Sequence, residues 1–355
     1  MIHRLERLRQ RLGEEGLDAI LISQGENRRY ISGFTGSEGF LLISETSAIL
    51  ATDSRYTEQA KSQAPGFEIF RTEGELSKWF LELVSPLDIK RIGFEANDLS
   101  VATYRKLVAT AAEAGEKELV PTEGIVESLR VVKDKGELEL IMKAVEISDT
   151  AFEESSSLLH PGMTEKAAAW EIERTLREKG SESVPFDIIV ASGPNSTLPH
   201  HQPTDRLMLS SEPVVIDMGA RVAGYSSDIS RTICLGNTDE KFEKIYDLVL
   251  GAQLTAIATI EAGMSGEQVD SLARTVIEQG GYGENFGHGL GHGVGLAAHE
   301  EPRLGKGSED ILTDGMVFTI EPGIYISGWG GVRIEDVVVL EKGRVRVLSK
   351  AKKIN

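Results

Sequence analysis

Val214-Val-Ile-Asp217-Met-Gly219 and Tyr225-Ser-Ser-Asp228-Ile-Ser-Arg-Thr232 are two β-patterned runs joined by Ala220-Arg-Val-Ala-Gly224. Alternating β-branched and aromatic residues around a short, Gly-containing joint read as a hairpin. A turn centred between Val222 and Ala223 would set Asp217 directly opposite Asp228, with Cβ atoms about 4.5–5.5 Å apart. Two carboxylates held that close inside apolar strands repel unless a proton or a cation lies between them. A pair of metal ions meets that requirement.

An imidazole source follows in Phe286-Gly-His288-Gly-Leu-Gly-His292-Gly-Val-Gly-Leu-Ala-Ala-His299-Glu300. Each glycine costs a helix interior about 1 kcal/mol relative to Ala, so an extended chain is expected. The strand period of two would place His288, Leu290, His292, Val294 and Leu296 on one face. Two more carboxylates lie in Met316-Val-Phe-Thr-Ile-Glu321-Pro-Gly-Ile-Tyr325 and Gly331-Val-Arg333-Ile-Glu335-Asp-Val-Val-Val339. Glu321 would close a strand before a Pro-Gly turn, and Arg333 and Glu335 would share a strand face. Taken singly, each has a bland reading: a turn aspartate, a hydrogen-bonded histidine, a solvated strand glutamate, a surface arginine. Together they do not, because carboxylates set in Val/Ile/Phe runs are expected to be buried, and buried charges need partners or metals.

The ordered motifs VIDMG, YSSDISRT, GHGVGLAAHE, TIEPGIY and GVRIEDVVV resemble those of the pita-bread metallopeptidases, in the prolidase and aminopeptidase P branch. Arg29-Tyr-Ile-Ser-Gly-Phe-Thr-Gly-Ser37 and Thr52-Asp-Ser-Arg-Tyr56 are similar to segments of the accessory domain of the same family. The resemblance implies that Asp217 chelates one metal, that Asp228 and Glu335 bridge both, and that His292 and Glu321 complete the second. It also implies catalytic roles for His200, in Leu198-Pro-His200-His201, and for His299, and for His288 either a catalytic role or a structural one orienting the loop; Glu321 would both bind metal and shuttle protons. Arg303 matches the position of a carboxylate-binding arginine in prolidase-like members, and Arg333 would contact ligand or product. His201 replaces the small residue of many relatives and has no expected role.

Two divalent ions in such a set can activate a bridging water and polarise a carbonyl. Oxygen-rich ligation admits Mn²⁺, Co²⁺, Fe²⁺ or Zn²⁺, and the family resemblance favours Mn²⁺. The expected activity is cleavage of the Xaa-Pro bond in dipeptides or short peptides, with aminopeptidase P action on longer peptides as the alternative. A creatinase-like hydrolase working on a small C–N compound without metal, or a binding protein of this fold, should have lost several of these ligands. Methionine aminopeptidase shares the metal set, but an N-terminal domain of about 120 residues points elsewhere. A homodimer is implied by resemblance alone.

Composition bounds the partners. A chain of 355 residues exceeds what one core normally organises, so two domains are expected. With 56 acidic against 38 basic residues the net charge is −18, which argues against nucleic acid or an anionic membrane as partner. The amino terminus, Met1-Ile-His-Arg-Leu-Glu-Arg-Leu-Arg-Gln-Arg-Leu12, reads as an amphipathic helix without the apolar centre of a signal peptide. A single cysteine, Cys234, fits a reducing cytoplasm; in Arg231-Thr-Ile-Cys-Leu it is expected as core filler rather than as a nucleophile.

The fold class expected is α/β (α+β): a small N-terminal α/β accessory domain over 1–122, then a pita-bread catalytic domain over 123–355. In the first, helices are expected near 2–15, 55–62, 76–84 and 101–113, with strands near 19–22, 40–43, 48–51 and 91–94. In the second, helices are expected near 137–158, 165–179, 240–261 and 266–280, the last opened by a capping box in Ser265-Gly-Glu-Gln268. The two sets of paired helices and strands suggest an internal pseudo-twofold repeat, without sequence identity to prove it.

Overall fold

The structure, a computed structural model, describes residues 2–115 and 117–353. The chain divides into two compact units, with the division between Arg130 and Val131. In the first, α1 (Ile2–Glu14), β1 (Ala19–Ile22), α2 (Gly25–Ser32), β2 (Phe40–Ser44), β3 (Ala48–Thr52), α3 (Thr57–Gln63), β4 (Glu68–Arg71), α4 (Leu76–Val84), β5 (Arg91–Glu95), α5 (Val101–Glu113), β6 (Glu118–Thr122) and α6 (Glu127–Arg130) follow one another. They build a mixed sheet of order β4-β3-β2-β1-β5-β6. Its apolar side packs Leu21, Leu42 and Ile92 against Trp79, Phe80 and Leu83 of α4 and Leu107 of α5. The segment expected to be the inter-domain boundary, 118–124, begins as the edge strand of this sheet, where Pro121 is tolerated because an edge strand has a side with no ladder partner. The short α6 belongs to this unit, fastened by the Tyr30 hydroxyl, which donates to Leu129 O at 2.7 Å.

The second unit runs through α7 (Lys135–Ser156), α8 (Glu165–Glu178), β7 (Ile189–Ser192), β8 (Pro213–Met218), β9 (Arg221–Val222), β10 (Tyr225–Ser226) and β11 (Ile229–Cys234). It continues with α9 (Glu240–Thr259), α10 (Gly266–Gln279), β12 (Gly291–Gly293), β13 (Glu300–Leu304), β14 (Val317–Ile320), β15 (Gly323–Ile326), β16 (Gly330–Arg333), β17 (Asp336–Glu341) and β18 (Arg344–Val347). Two halves result, each a helix pair on an antiparallel sheet. Phe152 of α7 and Ile172 of α8 pack against Val190, Val214, Ile216 and Ile229 of the sheet β11-β8-β7. Ile245 and Val249 of α9 and Val269 and Ala273 of α10 pack against Phe318 and Val338 of the sheet β13-β12-β14-β17-β18 and against Leu290 just before β12. The helices start where the sequence supplies caps: Asp134 and Ser265 each form a full capping box, with Glu137 and Gln268 as reciprocal partners, satisfying amides that a helix start leaves free.

Two expectations need correction. The hairpin register places Asp217 opposite Ser230, not opposite Asp228, because the turn is centred one residue later, on Ala223 (φ 46°) and Gly224 (φ 80°). Two consecutive left-handed residues make the tight turn that matches strand twist. The shift moves pairing by two positions, so Asp217 and Asp228 stay on one face as diagonal neighbours. The second correction concerns 288–296, which is not a continuous strand: only Gly291–Gly293 is extended, with a bulge between His292 and Gly293. The glycines there permit close approach rather than freedom, since a Cβ on Gly291 would lie 2.1 Å from Thr319 O and one on Gly293 2.0 Å from Glu301 O.

Candidate metal centre

Asp217 near the end of β8, Asp228 just before β11, His292 in β12, Glu321 after β14 and Glu335 just before β17 all line one cavity of about 480 Å³. Arg333 and Glu335 do not share a strand: Arg333 ends β16, and Glu335 lies in the two-residue gap before β17. Ligand atoms of Asp217, Asp228 and Glu335 lie within 4.8 Å of one another, as do those of His292, Glu321 and Glu335, and of Asp228, His292 and His299. Asp228 and Glu335 thus belong both to the Asp217 side and to the His292 side of the cluster.

Neighbours orient these groups. Ser230 Oγ donates to Glu335 Oε2 at 2.7 Å and Thr319 Oγ1 to Glu321 Oε1 at 3.1 Å. His292 Nδ1 faces Gly293 O at 3.1 Å, which fixes its proton there and leaves Nε2 as a bare lone pair. That Nε2 points at Glu321 Oε1 (3.4 Å) and Asp228 Oδ2 (3.7 Å). Arg333, 3 % exposed, donates from Nη2 to Asp217 Oδ2 at 2.7 Å, from Nη1 to the Tyr325 hydroxyl at 3.0 Å, and from Nε to Ser230 Oγ at 2.8 Å. His288 closes the chain, its Nε2 3.0 Å from the same hydroxyl. The surface reading of Arg333 is excluded by this burial.

The electrostatics ask for a cation. Burial, then Glu335, Asp217 and Glu321, push the Asp228 carboxyl well above its ordinary range. Burial, then Glu321 and Asp217, do the same to Glu335, and burial raises Glu321. Burial also lowers His288, His292 and His299, the last further depressed by His292. Burial and mutual repulsion thus disfavour ionised acids and burial disfavours charged imidazoles, and a divalent cation among these donors would favour carboxylate and neutral imidazole. Asp217 Oδ1 is buried without a hydrogen-bond partner among the described residues, a further acceptor suited to a metal ion. The residues present therefore fit divalent metal.

Around this centre the same cavity wall carries His200, His288, His299, Arg303 and Arg333 together with Phe186, Pro199 and Leu304. Every expected site residue thus reaches one cavity. Tyr325 is the residue the sequence reading passed over; its signal was its position four residues after Glu321 in an otherwise apolar strand. His201 also has a place: it is 7 % exposed, with Nε2 2.9 Å from Glu165 Oε2. Cys234 is partly buried and packs at the margin of the core under α9 and α10, its Sγ 3.5 Å from Asn237 O; burial raises its thiol pKa, which disfavours the reactive thiolate.

Convergent carboxylates and imidazole on antiparallel strands, backed by helix pairs, define a metal-dependent hydrolase. The family model of metallopeptidase family M24 matches residues 139–342, and that of the creatinase/prolidase N-terminal domain matches residues 4–132. A structure described as the Xaa-Pro dipeptidase from Bacillus anthracis is 42 % identical, with TM-score 0.95 over 99 % of this chain and 98 % of that one. An X-Pro aminopeptidase from Thermotoga maritima is 39 % identical, with TM-score 0.89 over 99 % of each chain. An Xaa-Pro dipeptidase of Pyrococcus horikoshii is 36 % identical over 99 % of this chain and 98 % of its own length. The chain belongs to the M24 metallopeptidases, in the pita-bread fold with a creatinase/prolidase-type N-terminal domain.

Proposed function

We propose that this metallopeptidase is prolidase-like: it hydrolyses the Xaa-Pro bond of dipeptides or short peptides with two divalent ions, manganese by preference. The observation that carries this reading is that Arg303, the cross-strand partner of His292, lines the same cavity as the candidate metal ligands. A dipeptide places its carboxylate one residue beyond the scissile bond, and bidentate Arg–carboxylate pairing suits its capture.

Asp217, Asp228, His292, Glu321 and Glu335 would hold the ions, with Asp228 and Glu335 shared because each belongs to both sides of the cluster. Bound there, divalent ions supply an activated water and a polarised scissile carbonyl. Arg333 fixes Asp217 and, through Tyr325, His288. His200 and His299 offer N–H donors from the cavity wall to charge developing on the carbonyl oxygen. Glu321 would also move a proton between water and leaving amine. Phe186, Ile189 and Leu304 give the cavity an apolar side suited to a proline ring, whose amide lacks an N–H to satisfy.

Aminopeptidase P action on longer peptides is the second reading, favoured by the likeness to the Thermotoga enzyme and by the exposure of Arg303, which leaves room beyond it. The full ligand set weighs against a creatinase-like or purely binding role. In the same reading, residues 1–122 serve as an accessory domain to a catalytic domain over 123–355, and the protein works as a cytoplasmic homodimer on peptides rather than on nucleic acid or membrane. No helix among the described residues is long and apolar enough to cross a membrane.

A hydrolysis panel with added Mn²⁺ tests the proposal, comparing Xaa-Pro dipeptides, Xaa-Pro-Yaa tripeptides and Met-Ala peptides. Dipeptide cleavage should dominate. Preference for tripeptides would replace the first reading with the second, and preference for Met-Ala would overturn both.

A further inference from the structure

Glu165, the first residue of α8, is fully buried, and the hydrolytic chemistry makes no use of it. Its carboxylate accepts hydrogen bonds from both ends of a single loop. Oε1 receives the Ser192 N–H at 2.8 Å, the Ser192 hydroxyl at 2.7 Å and Asn195 Nδ2 at 3.0 Å. Oε2 receives His201 Nε2 at 2.9 Å, the Thr204 N–H at 3.1 Å and the Thr204 hydroxyl at 2.7 Å. The free amides of the helix start continue the attachment: Glu165 N–H donates to Arg206 O at 3.1 Å and Lys166 N–H to Thr204 O at 3.1 Å.

The loop so fastened carries Pro199, His200 and Gln202 into the wall of the metal cavity. His200 and His201 are adjacent, yet His201 is buried on Glu165 while His200 is exposed on the cavity side. A backbone bond from His201 N–H to Leu198 O at 3.2 Å makes the turn between them. Pulling one imidazole inward thereby turns its neighbour outward. On the opposite flank, Arg333 Nη1 donates to Pro199 O at 3.2 Å, so the loop is braced between Glu165 and the metal-side arginine.

We propose that Glu165, acting through His201, is a positioning residue that presents His200 to the substrate, a claim that rests on the function proposed above. Its carboxylate bonds to Ser192, Asn195, His201 and Thr204, none of them a candidate metal ligand. Gln is nearly isosteric but brings an NH₂ into a site where every neighbour is a donor, so Glu165→Gln should loosen the loop without emptying the pocket.

The test is a double-mutant cycle on the full-length, Mn²⁺-loaded protein, measuring kcat and KM on an Xaa-Pro dipeptide for wild type, E165Q, H200A and the double variant. Hydrogen exchange over residues 193–204 and metal content accompany each measurement. Misplacing a reacting group by about 1 Å costs on the order of 10²-fold in rate, so E165Q should lower kcat by about 10–100-fold with metal content unchanged. In the H200A background it should cost less than about 3-fold, because coupled residues are non-additive. Equal losses in both backgrounds would overturn the proposal. If wild type fails to cleave Xaa-Pro peptides, the functional reading falls, and hydrogen exchange still decides the clamp: unchanged exchange at 193–204 in E165Q overturns it. Should E165Q not fold, Thr204→Val, which removes one donor, must show the same non-additivity at smaller amplitude, and additivity there would be equally fatal.

Discussion

His292 in β12 and Arg303 in β13 are direct cross-strand partners, and the bulge that follows His292 breaks the register immediately beyond them. Residues so paired have Cβ atoms about 4.5–5.5 Å apart, so the arginine stem starts beside the candidate ligand His292, and both residues line the cavity. Arg303→Ala should therefore raise KM for an Xaa-Pro dipeptide by the worth of a charge-assisted hydrogen bond, about 1.5–3 kcal/mol. A dipeptide amide, and a tripeptide whose carboxylate lies one residue further on, should lose much less. Equal losses on all three substrates would make Arg303 a support of the β12–β13 loop and favour the aminopeptidase reading.

Sharing of Asp228 and Glu335 between the two sides of the cluster predicts a graded response to ligand removal. Asp228→Ala and Glu335→Ala should abolish activity and lose both ions, whereas Asp217→Ala, on one side only, should lose one ion preferentially. Elemental analysis of dialysed protein decides it. Two tightly held ions in either of the first two variants would refute the sharing.

Histidines that act on substrate rather than on metal should separate the two properties. His200→Ala and His299→Ala should retain both ions while kcat/KM falls roughly 10²–10³-fold, the range for loss of a transition-state donor. Wild-type rates in both would make them structural.

Glu165 supplies a pH signature. Burial opposes its ionisation, but the bonds from His201, Ser192 and Thr204 prevail and hold its carboxyl at about 2, against an ordinary value of 4.5. A depressed folded-state pKa contributes stability above the unfolded value and loses it as pH falls through the folded one. The ionisable groups nearby are the His201 imidazole and the Arg206–Glu212 pair, with Arg206 Nη1 2.6 Å from Glu212 Oε1. The stability gap between wild type and Glu165→Gln should thus be widest above about pH 4.5 and close toward pH 2, as read by denaturant unfolding at each pH. A gap that stays constant with pH would show that the carboxylate charge contributes nothing.

How far these features could be read in the sequence depended on how local their causes are. Helices with an apolar stripe and a cap, such as 266–279 behind Ser265 and Gln268, announce themselves within a few residues. The five candidate ligands did so too, because carboxylates and imidazole inside apolar or glycine-rich runs are chemically conspicuous. Long-range partners stayed hidden. Nothing near Glu165 in sequence shows that its bonds come from Ser192 to Thr204, and Tyr325 gains meaning only when Arg333 and His288 fold against it. Glycines 287–295 looked like a long strand because spacing cannot distinguish extension from close backbone approach. The α2 helix, which ends on Gly33 at φ 81°, was missed because it has no side-chain cap and few residues.

Register at the aspartate hairpin turns on Ala223 and Gly224, both left-handed. An L side chain there costs roughly 1–2 kcal/mol, a cost Ala223 already bears and Gly224 avoids. Gly224→Ala should therefore lower stability by about that amount, while Ala223→Asn should raise it, since Asn tolerates left-handed backbone and favours this turn. Thermal unfolding of the metal-loaded variants reads both signs. If instead the turn were centred between Val222 and Ala223, Gly224 would lie on the strand side, Gly224→Ala would be neutral or stabilising, and Asp217 would face Asp228 directly. Opposite signs for the two substitutions thus test the diagonal placement that lets Asp217, Asp228 and Glu335 converge on one point.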